Sequence, residues 1–141
     1  MRCTCYLRIG NIYIPTMGIV DEGFYRGVEP VAVVPVSNTE ALRRAFHDAI
    51  ARGNPKVPSL NRFEYPSPVI LKYAGVKSWP TFARNASTWA ISEKDGVYKI
   101  LGYRRASSSG WTEDKDNVET FPIGSTMDDV VTRIIAILQT A

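Results

Sequence analysis

Thr88-Trp-Ala-Ile-Ser-Glu-Lys-Asp-Gly-Val-Tyr-Lys-Ile-Leu-Gly-Tyr103 is the stretch that most directly indicates the fold of this chain. Two runs rich in β-branched and aromatic residues flank a polar turn, and its Asp95-Gly96 pair favours the positive φ angles that tight hairpins require. Alternation along the two runs predicts one shared face for four side chains, namely Trp89, Ile91, Tyr98 and Ile100. The stretch therefore predicts an antiparallel β-hairpin with one face turned toward a core.

Upstream, residues 3–14 predict two short strands joined by a tight turn. Pro15 has no backbone N–H to donate, so we expect the second of these strands to lie at a sheet edge. Met17 offers an alternative start, in which case residues 1–16 would be a weakly attached extension. The length of the chain predicts a single domain over residues 1–141.

The region between these strands and the hairpin has a clear pattern in its first part. β-Branched residues bounded by prolines at 29–36 favour a buried strand. Apolar residues spaced along one side of a helix over 41–50 predict an amphipathic helix that ends at Gly53. Residues 54–68 contain four prolines and predict a surface loop, with a short extended piece at 62–65.

Two short elements precede the hairpin. Residues 69–73 fit either a strand or a short helix, because periodicity cannot distinguish the two over so short a run. Ser78 followed by Pro80 is typical of a helix start, so we expect a short helix that ends near Asn85.

Downstream of the hairpin, residues 106–116 are polar and rich in serine, which predicts a flexible connection that contains Trp111. A short strand is expected at 118–122, and Ser125-Thr-Met-Asp128 resembles a capping box that begins an apolar-striped final helix. The order of elements predicts an α+β fold, with an antiparallel β-sheet and helices packed mainly on one face.

The composition is that of an ordinary globular protein, with 17 Lys+Arg against 14 Asp+Glu and a net charge of +3. No apolar run reaches the ~18–20 residues of a membrane span, and Arg8 and Gly10 interrupt any signal-peptide core. We therefore expect a cytoplasmic protein. Cys3 and Cys5 are the only cysteines, and buried thiols are favoured over a redox or zinc role because no second ligand pair exists.

Few residues in the sequence suit catalysis. His47 is the only histidine, and its place on the polar side of the first predicted helix favours a solvated side chain over a catalytic base. Solvation and helix capping explain the paired carboxylates Glu113-Asp114 and Asp128-Asp129 more simply than acid/base catalysis does. No glycine-rich phosphate loop occurs. We expect no catalytic residue, no metal site and no cofactor.

Charge is divided unevenly along the chain. Residues 1–105 carry a net charge of +7, and residues 106–141 carry a net charge of −4. A solvated loop and a helix N-terminus would account for these carboxylates. The alternative is a surface for a basic partner, in which charge steers the encounter and an aromatic ring anchors it. The candidate partner-binding residues are Trp111, Glu113, Asp114, Asp116, Glu119, Asp128 and Asp129.

A second hypothesis concerns basic and aromatic residues in the second half of the hairpin. Rings stand beside guanidinium groups there, as in surfaces that bind nucleic acid by stacking. The residues are Tyr98, Tyr103, Arg104 and Arg105. The same residue types suit an exposed sheet face or a protein interface, and no RNA-binding signature accompanies them.

Several stretches resemble the small immunity proteins of contact-dependent growth inhibition systems, which are bacterial toxin systems. These stretches are Gly27–Val36, Tyr73–Arg84, Trp89–Ile100 and Asp128–Leu138, and the resemblance covers residues 27–139. It implies a non-enzymatic cytoplasmic protein that binds a cognate toxin C-terminal domain, often a nuclease, and blocks its active or substrate-binding surface. It implies no direct contact with nucleic acid or with a membrane. An acidic surface would then suit the basic surface with which a nuclease holds a phosphate backbone.

Overall fold

The computed structural model describes residues 1–60, 68–107 and 110–141. The described part contains one antiparallel sheet in the order β3-β2-β1-β4-β5-β6, with helices on both of its faces. The strands are β1 (Arg2–Arg8), β2 (Asn11–Ile19), β3 (Tyr25–Pro35), β4 (Ala86–Lys94), β5 (Val97–Arg105) and β6 (Trp111–Thr120). The helices are α1 (Thr39–Arg52), α2 (Ile70–Ala74), α3 (Trp79–Arg84) and α4 (Met127–Thr140). The prediction of an α+β fold is confirmed.

The predicted hairpin is formed by β4 and β5. Ile91 lies opposite Ile100 in the register, and both side chains are buried in the core. Asp95 and Gly96 adopt φ angles of 53° and 80°, which are the values that their residue types favour in a tight turn. Local turn chemistry and side-chain alternation therefore agree with the tertiary structure here.

The N-terminal strands lie inside the sheet. β1 pairs with β2 on one side and with β4 on the other, so it is an interior strand of the sheet. The expectation that Pro15 places β2 at an edge is wrong, because β2 also pairs with β3. The register between β2 and β3 shifts between Pro15 and Thr16, and such an irregularity accommodates a residue without a backbone donor.

β3 is an edge strand, and not the buried strand predicted at 29–36. Val34 is the only residue of β3 that is buried. Pro30 and Pro35 explain the difference, since a strand with prolines is compatible with an edge, where backbone donors need no partner. The β-branched character that suggested burial belongs to a strand whose side chains are mostly half-exposed.

The two long helices pack on one side of the sheet, which we call the helix face. α1 ends where predicted, because Gly53 follows it with a φ of 67°. The capping box of α4 lies one residue later than predicted, with reciprocal hydrogen bonds between Thr126 and Asp129. The apolar stripes of these helices supply most of this core. Their buried residues are Leu42, Phe46, Ile50, Val130, Val131, Ile134, Ile135 and Leu138.

The two short helices pack on the opposite side, which we call the aromatic face. The ambiguous run at 69–73 is resolved as α2, and Ser78 caps α3 by accepting a hydrogen bond from the Thr81 N–H at 3.3 Å. Phe82 of α3 is fully buried on this face. The extended piece predicted at 62–65 lies outside the described residues.

β6 corrects two predictions. Residues 106–116 were expected to form a flexible connection and 118–122 a short strand, whereas β6 extends from Trp111 to Thr120. The polar composition of β6 did not indicate a strand. β6 lies at a sheet edge, where charged side chains can remain in water. Gly102 of β5 makes room for Asn117, whose side-chain nitrogen would lie 2.2 Å from a Cβ added at that glycine.

Candidate functional site

The acidic residues proposed as a partner surface fall into two groups. Glu119, Asp128 and Asp129 are engaged within the chain. The Arg133 guanidinium donates from Nε and Nη2 to the Glu119 carboxylate at 2.5–3.0 Å, and this contact lowers the pKa of Glu119. Asp129 closes the capping box of α4. These carboxylates primarily stabilise the fold.

Asp128 links the two long helices. Its Oδ1 lies 3.0 Å from His47 Nε2 and 2.9 Å from Arg43 Nη1, both on α1. Hydrogen bonds from His47 and then Arg43 lower the pKa of Asp128. His47 is half-exposed, and its ring pairs with the Asp128 carboxylate. The sequence had predicted a solvated side chain.

The Asp128 contact predicts a pH-dependent contribution to stability. Because the pKa is lower in the folded state, the contribution is complete above the ordinary value of 3.8 and disappears as the pH falls through the folded value. We expect Asp128→Asn to unfold at lower urea concentration than the wild type at pH 7, with the difference vanishing in acid. Asp48→Asn, an exposed change on α1, is the control. A difference that persists unchanged below the folded pKa would contradict this assignment.

The second group, Glu113, Asp114 and Asp116, lies on the exposed half of β6, and we call it the acidic edge. Within the described residues, the Glu113 and Asp116 carboxylates make no hydrogen bond or ion pair, and Asp114 Oδ1 accepts only the backbone N–H of Asp116 at 3.1 Å. β6 is the last strand of the sheet. These three carboxylates are therefore available to a partner.

Trp111 begins the same strand, but its ring belongs to the aromatic face. It lies 6.0 Å from the Tyr6 ring and 5.7 Å from the Trp79 ring. The Arg105 guanidinium lies 5.5 Å from its centroid. Trp111 is half-buried in these contacts, so it borders the acidic edge and does not project from it.

The alternative set for nucleic acid is not brought together on one surface. Tyr98 packs against the core on the helix face. Tyr103 accepts a hydrogen bond from the Arg2 guanidinium, and Arg105 Nη2 donates to the Ala83 and Ala86 carbonyls on the aromatic face. Side chains alternate between the two faces along β5, so Tyr98 lies on the face opposite to Tyr103 and Arg105.

A groove of about 930 Å³ opens on the aromatic face between β2, β3 and the short helices. Its wall is mainly apolar and includes Met17, Val28, Val69, Ile70, Leu71 and Val76. At its rim, Glu29 pairs with Lys72 at 2.6 Å and accepts a hydrogen bond from the Tyr73 hydroxyl at 2.5 Å. The sequence showed no sign of this groove, because its walls come from segments that are far apart along the chain.

The described residues contain no group of three or more His, Cys, Asp or Glu side chains that could hold a metal ion. Cys3 and Cys5 are free thiols buried in the core, and burial raises the pKa of Cys3 to about 12. Both thiols are therefore protonated and act as small apolar groups. Within the same residues, no helix is long and apolar enough to cross a membrane.

Comparison with known proteins reveals a shared fold. No family model matches the chain, and no curated protein matches it in sequence. A solved protein of unknown function from Neisseria meningitidis matches 98% of this chain and 92% of its own, with 13% identity and a TM-score of 0.67. A chain of the CdiA-CT/CdiI toxin and immunity complex from Yersinia pseudotuberculosis matches 98% of this chain and 95% of its own, with 10% identity and a TM-score of 0.64. The fold of this chain therefore also occurs in a toxin and immunity complex.

Proposed function

We propose that this chain is an immunity protein that neutralises a cognate toxin C-terminal domain by binding it, as in contact-dependent growth inhibition. The fold shared with a toxin and immunity complex over 98% of the chain supports this proposal. Such a protein acts by occupying a surface and needs no catalytic group of its own. It would act in the cytoplasm, where an incoming toxin domain would reach its target.

The choice of a binding surface rests on the difference between the paired and the unpaired carboxylates. Glu119, Asp128 and Asp129 satisfy partners within the fold, whereas Glu113 and Asp116 have none among the described residues. A row of unpaired carboxylates on an exposed edge strand attracts a basic partner and raises its association rate. The acidic edge would therefore contact a basic surface of the toxin domain.

A nuclease is the toxin chemistry that suits such a contact. A nuclease presents cationic side chains where it holds the phosphate backbone of its substrate. Carboxylates placed over those side chains would exclude the substrate by occupying its electrostatic site. The proposed inhibition therefore consists of blocking the substrate-binding surface, with no chemical change to the toxin.

The test is a triple charge reversal, Glu113→Lys, Asp114→Lys and Asp116→Lys. The binding partner is the purified C-terminal domain of the large secreted toxin expected to be encoded immediately upstream. We expect the association rate to fall about 10- to 100-fold at low salt, because the reversal removes electrostatic steering. The difference should shrink as added salt screens the charges. Glu119 is left unchanged, since reversing it would break its pair with Arg133.

The matched control reverses three exposed acids elsewhere, Asp21, Glu40 and Asp48, and so changes the net charge equally. We expect this control to retain an association rate near that of the wild type. Equal loss in both triple variants would contradict a contact at the acidic edge. A wild-type chain that neither binds nor inhibits the toxin domain would contradict the immunity function itself.

The groove is the surface to test if reversal of the acidic edge leaves binding unchanged. Apolar concave surfaces are where protein partners commonly insert side chains. Val28→Glu would place a charge in the groove wall. Val33→Glu places the same charge at an exposed position of the same strand. Loss of toxin binding in the first variant alone would locate the contact in the groove.

A further inference from the structure

The groove on the aromatic face has the size and lining of a small-molecule site. Its volume of about 930 Å³ lies within the range of roughly 300–1,000 Å³ that ligand pockets occupy. Aliphatic residues form most of its wall, and the aromatic residues Tyr6, Tyr25 and Trp79 also line it. Ligand pockets are typically apolar, with a few polar groups that fix the orientation of the ligand. The wall therefore suits the apolar body of a small molecule.

Gly27 of β3 leaves space in this groove. A Cβ added at Gly27 would lie 3.5 Å from Pro15 Cβ and 3.8 Å from Val69 Cγ1, which is ordinary van der Waals contact. The φ angle of Gly27 also lies outside the left-handed region, so neither crowding nor backbone geometry requires a glycine here. A glycine inside a strand weakens it, and it often marks a place where a ligand approaches the backbone. The missing side chain therefore indicates room for an occupant.

The Tyr6 hydroxyl is an unpaired polar group at the groove. It makes no hydrogen bond within the described residues, although the Tyr6 ring packs against Trp79, Phe82 and Trp111. Every fully buried side-chain oxygen or nitrogen of these residues has a partner, so the Tyr6 hydroxyl is not sealed in the core and a ligand can reach it. Burial raises the pKa of Tyr6 to about 12. The hydroxyl is therefore protonated and can donate a hydrogen bond.

Arg2 places a positive charge beside the same groove. It shares a face of β1 with Tyr6, and its Cζ lies 5.9 Å from the centroid of the Tyr25 ring, which lines the groove. Its guanidinium donates to the Tyr103 hydroxyl. Glu113 lies opposite Tyr103 in the sheet, but neither Glu113 nor any other carboxylate of the described residues forms an ion pair with Arg2. The charge of Arg2 is therefore available to an anionic group.

We propose that the groove binds a fatty acid, with the alkyl chain against the aliphatic wall and the carboxylate at the Tyr6 hydroxyl and the Arg2 guanidinium. Both groups donate hydrogen bonds to carboxylates, and such charge-assisted bonds are the stronger class. Burial of the chain adds up to about fourfold in affinity for each methylene. This site is independent of the toxin contact proposed at the acidic edge.

An apolar segment of a protein partner is the competing occupant of the groove. The toxin surface proposed above is basic, and Arg2 would repel it. A protein segment would also leave the Tyr6 hydroxyl unpaired unless it carried an acceptor at the right place. The polar groups at the groove therefore favour a small anionic ligand over the proposed toxin surface.

The test titrates the full chain with decanoate, below the concentration at which it forms micelles, by isothermal titration calorimetry. We expect saturable binding of one molecule per chain. Tyr6→Phe should weaken binding about tenfold or more, because it removes a donor to a charged group and keeps the ring. Arg2→Gln should weaken the binding of decanoate and leave unchanged that of decanol, which has the same chain without the charge.

Gly27→Leu tests the space in the groove. The added side chain would occupy the gap beside Pro15 and Val69, so we expect it to abolish the binding of decanoate and of decanol. Its urea unfolding transition, compared with that of the wild type, checks that this variant folds. Retention of wild-type affinity in a folded Gly27→Leu chain would place the ligand elsewhere and overturn the proposal.

The matched control for Tyr6→Phe is Tyr13→Phe. Tyr13 is a buried tyrosine of the aromatic face that does not line the groove, so this variant should bind decanoate like the wild type. Equal weakening by the two variants would overturn the proposal. Equal binding of decyltrimethylammonium would do the same, because affinity would then not depend on the sign of the charge.

A wild-type chain that shows no saturable binding of decanoate would also contradict a fatty-acid site. If Gly27→Leu then abolished binding of the toxin domain, the groove would be a protein contact. Failure of the fatty-acid site leaves the immunity function intact, because that function is tested separately by binding of the toxin domain.

Discussion

A chain that begins at Met17 is expected not to fold. Removal of residues 1–16 deletes β1 and most of β2, and so separates β3 from β4 at the centre of the sheet. Five buried core residues disappear, namely Cys3, Cys5, Ile12, Tyr13 and Ile14. Burying a large apolar side chain contributes about 1.5–3 kcal/mol, so the loss is comparable with the whole stability of a domain, about 5–15 kcal/mol.

Circular dichroism and urea unfolding would measure this effect. We expect the shortened chain to show no cooperative unfolding transition. The control is Met17→Leu in the full chain, which removes the internal start and keeps a side chain of similar volume in the groove wall. That variant should unfold like the wild type. A cooperative transition in the chain that begins at Met17 would show that residues 1–16 are dispensable.

Phe82→Ala is expected to destabilise the protein by about 3–5 kcal/mol. Phe82 is fully buried at the centre of the aromatic face. Its ring lies 5.6 Å from Tyr6, 5.7 Å from Tyr13 and 5.4 Å from Trp79, and the Arg8 guanidinium lies 5.6 Å from its centroid. Truncation would leave a cavity and would also remove the ring that covers a buried cation.

The measurement is the free energy of unfolding from urea titration, followed by tryptophan fluorescence. Phe24→Ala, at a phenylalanine that is 47% exposed, is the matched control, and it should change stability by no more than about 0.5 kcal/mol. Phe82→Leu should lie between the two. If Phe82→Ala cost less than about 1 kcal/mol, the aromatic face would be a loose surface layer and not a second core.

Local patterns predicted the elements whose determinants are adjacent in the chain. The Asp95-Gly96 turn, the helix that ends before Gly53 and the apolar stripe of α4 all depend on residues within a few positions of each other. These determinants are present even in a short segment, because turn geometry and amphipathic spacing are local properties. The α+β fold followed from their order.

Predictions that depended on strand neighbours were wrong. The apolar run at 29–36 became an edge strand, and the polar run at 111–120 became a strand at the other edge. The composition of a strand does not by itself show whether its side chains are exposed, because exposure depends on which strands lie beside it. The prediction that Pro15 lies in an edge strand was wrong for the same reason. The effect of its missing backbone N–H depends on the register in which β2 pairs with β3.

The candidate sites depended even more strongly on long-range contacts. The sequence does not distinguish among the carboxylates of the last quarter of the chain. In the structure, some of them form ion pairs with Arg133, Arg43 and His47. The groove arises from segments that meet only through the order of strands in the sheet.

The sequence by itself determined the fold class, the hairpin, the long helices and an uneven distribution of charge, because these follow from composition and from neighbours along the chain. Only the tertiary structure decided which charges are paired and which are free, since pairing depends on residues as far apart as Arg43 and Asp128. A free carboxylate or guanidinium group is available to a partner, whereas a paired one has to break an existing contact first. For this reason the acidic edge could be separated from the rest of the charge only after the strands were in place.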